Sequence, residues 1–371
     1  MKRSAVLILA ICLSVFLCGC NLWMDGSYYS VQPHHDDHAE KLLESATASS
    51  YDELQNVLID MVESGQQSGV IYMPGFQNSQ LASYMKRASN HLTYSHPIGA
   101  YAVDEIQYDI GTNGGKPALK VDISYMHNRS EILRIRKAAD MKIAGNMIEH
   151  ALDNCETGIV IRIAAYENVD FALMVQNYAE DHPDTCMETP QVTAAVYPQA
   201  GADRVVELSF TYQTNRDALR NMQAYVEPVF EAAVLNVKGE ETQEAKFALM
   251  YAFLMERSDY QLETSITPAY SLLRHGVGDC KAFATVYAAM CRRAGLDCQV
   301  VTGTKEGNPW VWNIICENGI YYHVDLLNSS NGGRLQKLAQ EFMQSYVWDY
   351  SSYPASGSEQ VQEQQEITSE S

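Results

Sequence analysis

The chain has 371 residues and a formal net charge of −20. With 46% hydrophobic and 10% aromatic residues it carries apolar material for two or three packed cores, which excludes a largely disordered chain. The acidic excess excludes nucleic acid and anionic lipid headgroups as charge-matched partners.

The first residues, "MKRSAVLILAICLSVFLCGC", join two basic residues to an apolar run too short to span a membrane and stay there. They resemble the signal of bacterial lipoproteins, with Leu17, Gly19 and Cys20 in the order of a lipobox. The resemblance implies removal of a signal peptide, residues 1–19, and acylation of Cys20. The product is an extracytoplasmic protein whose membrane contact is the lipid; an ordinary secretory signal cut nearby is the alternative. A polar tether over residues 20–50 follows. Its His34, His35, Asp36, Asp37 and His38 have metal-ligand chemistry, but no helix or strand spacing converges them, so the run reads as a solvated spacer and no metal is expected. Cys155, Cys186, Cys280, Cys291, Cys298 and Cys316 are scattered without any CxxC spacing, which argues against a zinc site or a disulfide framework. A single bridge such as Cys155 to Cys186 stays open in an oxidising compartment.

From Tyr51 the chain repeats itself. "ESGQQSGVIYM" (63–73) resembles "DNCETGIVIRI" (153–163), and "ALKVDISYMHNRSEILRI" (118–135) resembles "RVVELSFTYQTNRDALRN" (204–221). Each copy predicts helix, strand, helix, strand, strand, helix, giving two α/β repeats over 51–140 and 141–226. Arg129 and Arg216 recur beside Glu131 and Asp217, a pattern explained by charge at a helix N-terminus. The pair reads as a binding or spacing platform without a legible ligand.

"EETQEAKFALMYAFLMERSDYQ" (240–261) predicts a helix whose Phe247, Met250, Phe253 and Leu254 face a core. In "GVGDCKAFATVYAAMCRRAGLDC", Asp279 caps a helix that begins at Cys280 and ends near Arg292, Arg293 and Gly295; Ala282, Phe283, Val286, Tyr287 and Met290 mark its buried side. A cysteine at the positive pole of a helix is expected to have a lowered pKa, opposed in part by Asp279. In "NPWVWNIICENGIYYHVD" (308–325) the Asn318-Gly319 pair predicts a two-residue type I′ hairpin, which sets Glu317 opposite Ile320 and Ile314 opposite His323. Trp310 and Asp325 then become diagonal neighbours on one face. The last residues, 351–371, are polar and acidic and read as a disordered tail.

Residues 240–330 resemble the transglutaminase-like superfamily, a papain-related fold with a Cys-His-Asp triad. The resemblance lies in "AYSLLRHGVGDCKAFATVYAAMCRRAGLDCQVVTG" and "WVWNIICENGIYYHVD". It implies an α+β fold, with a transglutaminase-like domain over 227–350 behind the two repeats. Position by position, Cys280 takes the nucleophile's place and Asp325 that of the orienting carboxylate. Trp312-Asn313 match the pair beside the base, and the base's own place is held by Trp310. His323 and His275 are the candidate substitutes. His323 lies on the far side of the carboxylate, and it matches a residue the family often carries besides its catalytic histidine. An indole N–H cannot cycle a proton, and loss of the base costs a triad several powers of ten. The expected protein is therefore a catalytically impaired binding protein for a peptide, glycan or protein partner such as a cell-wall component. Trp310, Trp312 and Asn313 would line its old cleft, although Trp310 could equally fill the space of the missing imidazole. An active cysteine-dependent acyltransferase or peptidase with a non-standard base is the competing reading, and a third makes the paired repeats the functional part. No cofactor is implied.

Overall fold

The structure, a computed structural model, describes residues 45–262, 265–329 and 334–357. The signal, Cys20, the histidine-aspartate run and the tail from residue 358 lie outside the described residues. No helix among the described residues is long and apolar enough to cross a membrane.

Two four-stranded sheets of the same topology come first. In the first unit β1 (Ser45–Thr47), α1 (Tyr51–Glu63), β2 (Ser68–Tyr72), α2 (Asn78–Tyr94), α3 (Pro97–Ala102), β3 (Val103–Asn113) and β4 (Lys116–Tyr125) form a sheet of order β1-β2-β4-β3, and the short helix α4 (Arg129–Leu133) follows. In the second, β5 (Arg136–Asp140), α5 (Met141–Asp153), β6 (Gly158–Ala165), α6 (Phe171–Asp181), β7 (Gln191–Tyr197) and β8 (Arg204–Thr211) give β5-β6-β8-β7. The first strand of each sheet runs parallel to its neighbour and the rest are antiparallel. β5 pairs with β6, so residues 136–140, read from sequence as the end of the first repeat, belong to the second sheet; β1 likewise lies inside the stretch read as tether. A strand of three to five residues ahead of a helix carries too little alternation to register in a pattern.

The recurring arginines have a specific structural task. Arg129 Nε donates to the carbonyl of Ser64 at 3.0 Å, and Arg216 Nε donates to that of Asn154 at 3.1 Å. Each thus satisfies an orphan carbonyl at the C-terminus of its unit's first helix, α1 or α5. The asparagine before each arginine is an N-cap: Asn128 accepts from the Glu131 amide and Asn215 from that of Ala218. The residue after each C-cap is left-handed, Gly65 at φ +63° and Cys155 at φ +49°. The Asn-Arg pair therefore closes each repeat on itself, which the expected helix-charge role does not describe.

The units stack. Ile71, Leu119, Val121 and Ile123 pack on Leu54, Leu58, Leu81 and Met85 of the first unit. Ile161, Val206, Leu208 and Phe210 pack on Ala144, Ile148 and Val175 of the second. The second sheet's other face, through Val160 and Val205, joins the first unit's core. Arg162 spans the join, donating to Glu63 at 2.6 Å and to Asp203 at 2.8 Å.

The long helix α7 (Arg216–Val237) runs through the boundary expected at residue 226 and joins the second unit to the C-terminal one. There α8 (Gln243–Met255), the parallel strand pair β9 (Asp259–Tyr260) and β10 (Val277–Gly278), and α9 (Cys280–Arg293) lead into a sheet of order β13-β12-β11-β14. Its strands are β11 (Cys298–Lys305), β12 (Asn308–Glu317), β13 (Ile320–Val324) and β14 (Tyr346–Trp348). Helix α9 is buried on nearly every side, because it packs on the sheet through Cys298, Ile315 and Val324 and on α7 and α8 through Phe230, Phe247 and Tyr251. Its basic residues tie it to the second unit: Lys281 Nζ reaches Glu180 at 2.6 Å, and Arg293 bonds Asp184 and Glu227 at 2.7 Å. Residues 351–357, read from sequence as the start of a disordered tail, turn back onto the sheet. The Tyr353 hydroxyl accepts from the Thr302 amide, and the Gly357 amide donates to the Tyr321 carbonyl.

Candidate functional site

The head of α9 places the thiol. Asp279 Oδ1 accepts the Ala282 amide at 2.8 Å and starts the helix at Cys280. The Cys280 side chain is half-buried. Burial pushes its pKa up, and the Asp279 and Asp325 carboxylates push the same way, while the amides of Val311 and Lys281 donate to the sulfur and oppose them. The net direction is upward, which corrects the expectation that the helix pole would lower it. Removing the sulfur from water raises the pKa more than the two amides lower it.

The hairpin forms in the predicted register. Glu317 faces Ile320, Ile314 faces His323, and Asn318 and Gly319 have φ of +52° and +83°. Both Trp310 and Asp325 project to the face away from α9, and the diagonal contact is a hydrogen bond: Trp310 Nε1 donates to Asp325 Oδ2 at 3.0 Å. The same oxygen accepts from Lys305 Nζ at 2.8 Å and from the Tyr346 hydroxyl at 2.6 Å. The other oxygen, Oδ1, accepts the amides of Leu327 and Asn328 at 3.1 and 3.3 Å. Asp325 is only 2% exposed. Its carboxylate is thus a buried hub with an ammonium, an indole and a phenol on one oxygen. The Lys305 ammonium also lies 5.0 Å from the Trp310 ring centre and 5.1 Å from that of Tyr346, so the cation sits between two π faces.

Both candidate substitutes are engaged elsewhere. His323 is fully buried in the core that holds Trp312, Ile314 and Trp348. Its Nδ1 accepts from Trp312 Nε1 at 3.0 Å, and burial lowers its pKa to about 4, so it is neutral across the physiological range. His275 is exposed in the turn before β10, edge-on to the Tyr270 ring at 5.6 Å. Trp312 and Asn313 do not line a cleft either. Trp312 is 1% exposed and fills the core beside Trp348, while Asn313 is fully buried, its Nδ2 donating to the carbonyls of Ala284 and Gln299. Asn313 ties α9 to the sheet, while Trp312, two residues on from Trp310 and on the same face of the strand, packs into the core on the sheet's other side. Of the expected cleft residues, Trp310 alone is partly open to solvent.

Sequence reasoning missed Lys305, Tyr346 and Tyr260. Lys305 was within reach, because the Glu306-Gly307 turn pairs Lys305 with Asn308 and Gly303 with Trp310, which sets Lys305 on the Trp310 face. Tyr346 comes from β14, outside any motif. The exposed Tyr260 ring on β9 stands 5.9 Å from that of Trp310, and the Cys280 and Asp279 charges act on its phenol. It walls the site opposite the indole. Beside the helix head a cavity of about 170 Å³ opens between Ser265, Ser271, Asp279 and Ala282.

The model of the transglutaminase-like superfamily matches residues 231–350, which hold both the thiol at the head of α9 and the hairpin that leads to Asp325. Those residues are a transglutaminase-like domain. Among solved structures, similarity extends to a provisionally named cysteine protease of Cytophaga hutchinsonii (15% identity, 40% of this chain and 66% of that one, TM-score 0.25). A TGase is similar at 11% identity over 75% of this chain and 78% of that one, with a TM-score of 0.26. The chain spans just under two thirds of the C. hutchinsonii protein's length, and at these scores the assignment rests on the family match. No curated protein matches the chain. The matched residues include Cys280, Trp310 and Asp325.

Proposed function

We propose that this protein is a lipid-anchored extracytoplasmic lipoprotein whose transglutaminase-like domain binds a polypeptide without efficient turnover. The observation that carries the reading is the bonding of Asp325. Its Oδ2 is saturated by Trp310, Lys305 and Tyr346, and an indole N–H cannot accept the thiol proton. The raised pKa of Cys280 supports it, because little thiolate is present at neutral pH and no base sits at the family's position to generate more. A polypeptide is favoured because the resemblance implies a glutamine or peptide substrate, and because Tyr260 and Trp310 offer two aromatic walls beside the thiol. Anchoring rests on the lipobox order of Leu17, Gly19 and Cys20; fatty-acid labelling lost in Cys20→Ala would support it.

The decisive assay compares the intact protein, Cys280→Ala and Trp310→His on a glutamine-containing peptide with a primary amine acceptor. The proposal expects wild-type turnover equal to Cys280→Ala, and a gain in Trp310→His that a second Cys280→Ala change abolishes. Wild-type turnover that vanishes in Cys280→Ala would instead establish an active enzyme with an unconventional base.

A further inference from the structure

The join between the two sheet units is closed only in part. Helix α3 packs on β7 and β8, and the Glu63–Arg162–Asp203 bridge fastens one end. Beyond those contacts the join opens into a cavity of about 530 Å³, within the ~300–1,000 Å³ of small-molecule sites. The first unit contributes Tyr101, His127 and Arg134, and the second Arg136, Glu156 and Glu207.

The polar groups divide into those already matched and those left over. Arg136 is paired with Glu156 at 3.1 Å. The His127 ring lies flat on that of Tyr101, 4.0 Å away at 10°, with Nδ1 3.3 Å from the Tyr101 hydroxyl and 3.8 Å from Glu131. The side chains of Glu207 and Arg134 have no hydrogen-bond or ion-pair partner among the described residues. Glu207 is half-buried on β8, where its charge, after burial, helps push the Tyr101 phenol's pKa up. Arg134 is exposed at the C-terminus of α4. A half-buried carboxylate facing the cavity without a counter-charge offers a cationic ligand group a charge-assisted hydrogen bond.

The repeat itself supplies a control. Glu207 pairs with Val160 as Lys120 pairs with Val70, so the two occupy the same register in the two sheets. Lys120 is exposed on the open outer face of the first sheet, with Asp122 at 3.4 Å. The carboxylate is therefore a feature of the covered face and not of the repeat.

We propose that this cavity binds a short zwitterionic peptide, its ammonium on Glu207, its carboxylate on Arg134 and a peptide plane or side chain against the His127–Tyr101 stack. The volume suits a di- or tripeptide. The site is independent of the thiol domain's reading, so either can fail alone.

Titration calorimetry on the intact protein tests it, using the uncapped dipeptides Ala-Ala, Gly-Phe, Ala-Lys and Ala-Glu beside their N-acetyl and C-amide forms. Uncapped peptides are expected to bind, and either cap to weaken binding by about ten- to hundredfold, the loss of one charge-assisted contact. Glu207→Gln should erase discrimination against the N-acetyl form, and Arg134→Gln that against the C-amide, with the thermal midpoint and Cys280 alkylation unchanged. Absence of binding by all the uncapped peptides, equal binding of capped and uncapped forms, or an unaltered preference in both variants would overturn the proposal.

Discussion

Replacing Asp325 with alanine tests whether its carboxylate now serves structure. The side chain is 2% exposed and accepts at least five hydrogen bonds, among them three on Oδ2 and two on Oδ1. Bonds to a charged group contribute ~1.5–3 kcal/mol each, but they share one carboxylate and are not additive. A better guide is the ~3–5 kcal/mol lost when one partner of a buried ion pair is removed. Lys305 keeps 21% exposure and can rehydrate its ammonium, whereas the buried Tyr346 hydroxyl cannot readily do so. Asp325→Ala should therefore destabilise the domain by about 3 kcal/mol, the low end of that range, and Asp325→Asn by less. Urea unfolding of the intact protein followed through the tryptophan signal measures both. A loss below about 1 kcal/mol for Asp325→Ala would refute the hub, since a carboxylate held in reserve for catalysis can be removed cheaply.

Three further outcomes follow from the same geometry. His323 and His96 are each held near a pKa of about 4, against 6.5, chiefly by burial. Between those values the unfolded chain takes up a proton the folded one refuses, so stability is complete above pH 6.5 and falls as pH drops toward 4, by roughly 3 kcal/mol per histidine. Thermal melts across pH 4–7 should show this slope, reduced in His323→Phe; an unchanged slope would contradict the buried neutral imidazole. Arg129→Ala and Arg216→Ala should each cost about 0.5–1.5 kcal/mol through the lost helix-end bonds, and hydrogen exchange should rise at the ends of α1 and α5 respectively. Trp310→His should show Cys280-dependent turnover in the peptide assay, and a correctly folded variant without it would mean that the site has lost more than its base.

The C-terminal domain was legible where local chemistry fixes geometry. Asp279 before an apolar helix and Asn318-Gly319 between two strands each allow few conformations, and counting from that turn brought Trp310 to Asp325. What the sequence could not weigh was the burial of the thiol: the helix pole is visible as a pattern, whereas burial against β12 is a tertiary quantity, and it pushes the thiol's pKa up. Tyr346 and Tyr260 arrive from strands of two or three residues that carry no period. Trp312 and Asn313 were misread for a different reason, since residue type alone does not separate a binding aromatic from a core one and the adjacent Trp310 is half-open. In the repeats, pattern located the copies, but β5 was divided from its own sheet because a parallel edge strand of five residues reads like the end of the preceding helix.

The account turns on Cys280 being a protonated thiol without a base. Iodoacetamide labelling of the intact protein as a function of pH, with the Cys280 peptide quantified by mass spectrometry, measures this directly. The midpoint should lie above the ~8.5 of a free cysteine and should not move in His275→Ala or His323→Phe. A midpoint near or below neutrality that shifts upward in either histidine variant would contradict it.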